Sequence, residues 1–74
     1  REANIEQQLR ELTLLPLNIK HISVKTFLRN GAPRNTVLII TPYTIPLPLF
    51  SPPLIHTNQI LTVHQQEQIR KMLE

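Results

Sequence analysis

Pro42, Pro46, Pro48, Pro52 and Pro53 all fall within residues 42–53, and the positions between them stay largely apolar: Ile45, Leu47, Leu49 and Phe50. Proline has no N–H for a helix or a sheet ladder, and its ring fixes φ. Regular helix and central strand are therefore excluded from this stretch. An extended, polyproline-like course is expected instead, and the strand before it must end or lie at an edge at Pro42. Whatever the chain builds must be assembled on either side of this segment.

The flanks carry their own signals. Ile5, Leu9 and Leu12 recur at i, i+4 and i+7, the spacing of one helix face. Asn4 is placed to cap that helix, with Gln7 in the reciprocal capping-box position and Glu6 and Arg10 at ion-pair spacing. Pro16 disfavours helical geometry at Leu15, so the helix is predicted over residues 5–14. From Ile22 the period changes. Ile22, Val24, Thr26 and Leu28 alternate with His21, Ser23 and Lys25, as in a half-buried strand. Asn30-Gly31 is a strong turn signal, and the β-branched run from Thr36 to Ile40 reads as the returning strand of a hairpin. In the tail, Thr62 and Gln65 repeat the capping-box spacing, Ile69, Met72 and Leu73 form an apolar stripe, and Arg70 and Lys71 suit the negative end of the helix dipole.

The expected fold class is α+β: a small single domain over residues 1–74 with an N-terminal helix, a β-hairpin, an extended proline-rich arm at 42–54 and a C-terminal helix. With 74 residues, such a chain buries only roughly 60% of its unfolded surface. It has no cysteine to staple the fold, so a partner surface is expected to complete it. The same lack removes disulfides, thiolate zinc sites and cysteine nucleophiles. The compartment stays open, with an intracellular setting favoured. The run from Val37 to Phe50 is too short and too broken by proline to cross a bilayer as a helix. The chain opens on Arg1 rather than Met, as an excised or processed segment would.

Charge narrows the function classes. The net charge is +3 and every acid is a glutamate near one end: Glu2, Glu6, Glu11, Glu67 and Glu74. The acid-free middle carries Lys20, Lys25, Arg29 and Arg34, a pattern that suits an anionic neighbour such as RNA phosphate or an acidic protein face. Catalysis needs converging acid, base or nucleophile groups. This chain has no aspartate and no carboxylate between Glu11 and Glu67, and His21, His56 and His64 have no acid or thiol beside them. No enzyme, no metal and no cofactor is expected. The reading is a non-enzymatic protein interaction module, or a small subunit of a larger assembly, that docks through an edge strand and the arm. Ile45, Leu47, Pro48, Leu49, Phe50, Pro52, Pro53 and Leu54 are the partner-binding candidates. An RNA-contacting protein of a ribonucleoprotein is the alternative. The prolines lack the spacing of three that SH3 ligands use, and Pro52-Pro53 is followed by Leu54-Ile55 rather than by the pattern WW domains read.

Two local resemblances add expectations. The order Ile45, Pro48, Ser51, Pro52, Pro53 resembles the segment captured by the HORMA-domain adaptor subunit of translesion polymerase zeta, which implies threading under a safety-belt loop. The helix that follows such a segment comes about eight residues late here. Gln59 to Gln66, with Ile69 and Lys71, is similar to the start of the C-terminal helix in the bacterial-type small-subunit ribosomal protein eighteen family. That likeness implies a basic helix on ribosomal RNA, although the family's glycine and paired arginines are missing and Glu67 stands in the helix.

Overall fold

The computed structural model describes residues 4–47 and 49–74. The chain is α+β, with helices α1 (Ile5–Leu12), α2 (Val24–Asn30) and α3 (Val63–Leu73) and strands β1 (Ile39–Thr41) and β2 (Leu54–His56). Contacts divide it into two units. One comprises the described residues up to Ile19 together with Thr57–Glu74, and the other is Lys20–His56.

The first unit packs α1 against α3. Helix α1 begins where the sequence places it: Asn4 is extended, and its Oδ1 accepts from Gln7 N–H at 2.8 Å. Only half of the capping box forms, because the Gln7 amide turns toward Glu11 Oε2 (3.4 Å). Arg10 and Glu6 pair at 3.3 Å. The helix ends at Leu12 rather than Leu14. Thr13 is extended and its Oγ1 accepts from Leu15 N–H at 3.1 Å, so a local side-chain acceptor takes over from the helix before Pro16 would have stopped it. Helix α3 has the full capping box, with Thr62 and Gln65 exchanging side-chain-to-backbone bonds of 3.0 and 3.1 Å. Of its predicted stripe Ile69 is buried, Leu73 half-buried and Met72 exposed.

Leu9, Leu61 and Ile69 supply the buried apolar side chains of this unit, Leu61 at 2% and Ile69 at 0% exposure. Burying the main chain at Leu61 requires partners for its N–H and C=O, and the Gln8 carboxamide provides both. Gln8 Oε1 accepts from Leu61 N–H at 2.7 Å, and Gln8 Nε2 donates to Leu61 C=O at 3.1 Å. Gln66 Nε2 donates to the same carbonyl at 3.2 Å. Just upstream, the buried Thr57 donates its hydroxyl to Ile60 C=O at 2.8 Å, closing the turn that leads to Leu61.

In the second unit, the segment read as the first hairpin strand is helix α2. Ser23 caps it, accepting from Thr26 N–H at 3.1 Å. Gly31, at φ +75°, closes it by donating its N–H to Phe27 C=O at 2.7 Å. Asn30-Gly31 is thus a helix end and not a hairpin turn. A period of two fits Ile22, Val24 and Leu28, whereas helical spacing joins Val24 to Phe27 and Leu28, and the caps decide between them. The chain next turns at Pro33–Thr36, where Thr36 Oγ1 donates to Pro33 C=O at 2.6 Å and Asn35 takes φ +66°. Asn is among the few residues that tolerate that region.

The two strands are parallel, with Ile39 opposite Leu54, Ile40 opposite Ile55 and Thr41 opposite His56. The expected antiparallel hairpin is therefore corrected. A parallel pair needs a connection of about a dozen residues or more, and residues 42–53 are that connection. Strand β1 stops at Thr41, directly before Pro42. Pro53, which has no N–H, still accepts from Ile39 N–H at 2.9 Å and so extends the ladder by its carbonyl.

Two substitutions test the first unit. Ile69→Ala should lower unfolding stability by about 3 kcal/mol, as a truncated core aliphatic does. Gln8→Leu strands the Leu61 N–H and should cost about 2 kcal/mol. Gln8→Glu should be worst at neutral pH, where a carboxylate faces the Leu61 carbonyl. It should recover part of the loss, relative to the parent at the same pH, below the ordinary carboxylate range, where a protonated carboxyl again donates and accepts. Urea midpoints measured across pH report all three, and a pH-independent Gln8→Glu would contradict the bridge.

Candidate docking surface

The parallel connection sorts the partner-binding candidates into two sets. Ile45 and Pro52 are half-buried. Leu54, also half-buried, belongs to β2 and to the ladder rather than to a free arm. Pro53 is exposed but its carbonyl is used by Ile39. Leu47 is exposed, Leu49 is 83% exposed and Phe50 is 99% exposed. Pro48 lies outside the described residues. The straight polyproline rod is also corrected, because the chain turns at Leu49–Phe50.

That turn sets Phe50 at φ +63°. A bulky side chain is disfavoured in the left-handed region by about 1–2 kcal/mol, and a ring exposed at 99% returns nothing through burial within its own chain. Leu49 and Phe50 form an apolar tip held outward by the turn.

The basic candidates are all exposed. Lys20 precedes α2, Lys25 and Arg29 stand one helical turn apart on it, and Arg34 sits in the Pro33–Thr36 turn. Among the described residues none of the four forms an ion pair. Lys20–His56 carries no carboxylate at all, so its formal charge is +4 from these four residues.

Sequence reasoning missed a hollow of about 800 Å³ in the same unit. Ile22, Val24 and Leu28 line it together with Tyr43, Ile45 and Pro46, and Ile22, Leu28 and Tyr43 are well exposed. Placing Ile22, Val24 and Leu28 on a strand hid it. The signal that would have exposed it is Ser23 and Gly31 bracketing a short helix, which turns Val24 and Leu28 onto one face. Tyr43 is held by its own N–H, which donates at 3.0 Å to the Oγ1 of the buried Thr41. Among the described residues no cluster of three or more His, Cys, Asp or Glu side chains could hold a metal ion. No helix among them is long and apolar enough to cross a membrane.

Comparison with known proteins gives one consistent match. The family model described as the C-terminal domain of stationary phase-inducible protein CsiE matches residues 1–73. The stationary phase-inducible protein CsiE of Escherichia coli (strain K12) is 80% identical over 74 residues, covering all of this chain and 17% of the relative. The chain thus spans about a sixth of the length of that curated relative. No solved structure matches. The near full-length match overturns both local resemblances, to the segment captured by the HORMA-domain adaptor and to ribosomal protein eighteen. Each rested on a short stretch, and a single family accounts for both stretches at once.

The strain at Phe50 has a measurable sign. Phe50→Asn should raise stability by about 1 kcal/mol, because asparagine tolerates positive φ and no buried ring is lost. Phe50→Ala, which keeps the strained backbone, should be near neutral. A Phe50→Asn variant with a lower urea midpoint would mean that the ring packs on its own chain.

Proposed function

Because the chain belongs to the family of the C-terminal domain of stationary phase-inducible protein CsiE, we propose that this domain serves its protein as a non-enzymatic docking module, with the Lys20–His56 unit as the working part. The observation that carries the reading is Phe50, fully exposed and held at positive φ beside the exposed Leu49. Aromatic anchors dominate interface energetics, and a Phe side chain has only two torsions to lose on binding. The prolines around it restrict the unbound segment and lower the ordering cost further. The parallel pair β1–β2 ties both ends of the connection, so the tip is presented from a closed loop rather than from a free tail.

The test uses the whole protein in cells in stationary phase, the condition for which the Escherichia coli relative is named. A photoreactive phenylalanine analogue in place of Phe50 should give a discrete adduct with one protein partner, and Leu49→Ser should remove it. Against that partner, Phe50→Asn should weaken binding by about 2 kcal/mol, roughly 30-fold, while raising the stability of the free protein. If position 50 gives no protein adduct, or Phe50→Asn binds as the parent does, the docking reading is wrong.

A further inference from the structure

The geometry points to a specific occupant for the hollow of the Lys20–His56 unit: an acidic peptide segment of a protein partner, inserting one apolar side chain between α2 and residues 43–46 and setting carboxylates against Lys25 and Arg29. This deepens the docking reading and rests on it. Val24 and Leu28 line the hollow, and Lys25 and Arg29 each follow one of them by a single position, about 100° further round the helix. The two cations therefore stand beside the hollow and not in it. They are one turn apart, which puts their stems about 6 Å from each other. Two carboxylates spaced two residues apart on an extended chain, or four apart on a helix, match that distance.

Charge decides the sign of the occupant. No carboxylate occurs anywhere in Lys20–His56, so nothing within the unit competes for Lys25 or Arg29, and among the described residues neither has an ion-pair partner. The lining decides its class. Single-stranded nucleic acid needs aromatic faces in series on which bases stack, and this hollow, which is broad and open, is mostly aliphatic with Tyr43 its one aromatic wall. An apolar peptide side chain flanked by acids complements an aliphatic surface with paired cations beside it.

The experiment is a selection of random peptides displayed on phage, about ten residues long, against the immobilised whole protein and against its Lys25→Glu/Arg29→Glu variant. Amide spectra of both should confirm that α2 is intact. The parent should enrich peptides with aspartate or glutamate flanking an aliphatic or aromatic residue. The double variant should enrich peptides with lysine or arginine at those places. Synthetic copies of the parent's peptides should lose affinity about tenfold when their acids become amides, and should lose binding on Leu28→Gln. Enrichment of apolar peptides without acids, unchanged by the charge reversal, would overturn the inference while leaving the docking module standing. No enrichment by the parent would also overturn it, and the adduct at position 50 then decides the docking module separately. Tighter binding of an oligouridine or of phosphatidylglycerol vesicles than of the selected peptides, lost in the double variant, would overturn it in favour of a nucleic acid or a lipid surface.

Discussion

The Gln8 carboxamide stands in for a peptide group. By accepting from Leu61 N–H and donating to Leu61 C=O, it lets Leu61, outside any helix or strand, be buried without orphaned polar atoms. Leu61 then fills the core with Leu9 and Ile69, and α3 starts at once from the Thr62 cap. Without the bridge, Leu61 would have to stay in water to keep its main-chain hydrogen bonds, and α1 and α3 would lose one of the three side chains of their core.

The second unit meets the same requirement by a different route. Its sheet is a parallel pair of three-residue strands, the shortest arrangement that still ties both ends of a long connection. Because prolines carry no N–H, a connection rich in them leaves few donors to satisfy, so it can lie in the open without a helix of its own. The feature that barred helix and sheet from residues 42–53 is also what makes this crossover workable.

Much of the local structure was legible because it depends on neighbours in sequence. Asn4, Thr62 and Gln65 announced their caps, Glu6 and Arg10 their ion pair, and Pro42 the end of β1. What failed involved either a tie between periods or a partner far along the chain. Val24 and Leu28 satisfy strand and helix spacing equally, and the hydroxyl of Ser23 and the positive φ of Gly31 break the tie. The pairing of Ile39 with Leu54 is non-local, and nothing in either tripeptide states its direction. For the candidate surface, the acid-free stretch with Lys20, Lys25, Arg29 and Arg34 was legible in composition. The exposure of Leu49 and Phe50, the strain at Phe50 and the hollow lined by Tyr43 were not, since they depend on backbone geometry that α2 and the crossover set.

One unit is interrupted by the other: α1 precedes the whole of Lys20–His56, whereas Leu61 and α3 follow it. During synthesis, then, α1 leaves the ribosome with its buried face uncovered and waits until the inserted unit and the first turn of α3 have emerged. At typical elongation rates of about 5–20 residues per second, that wait lasts several seconds. Over that interval Ile5, Leu9 and Leu12 are open to chaperones, and all of Lys20–His56 is made before α1 meets its partner helix.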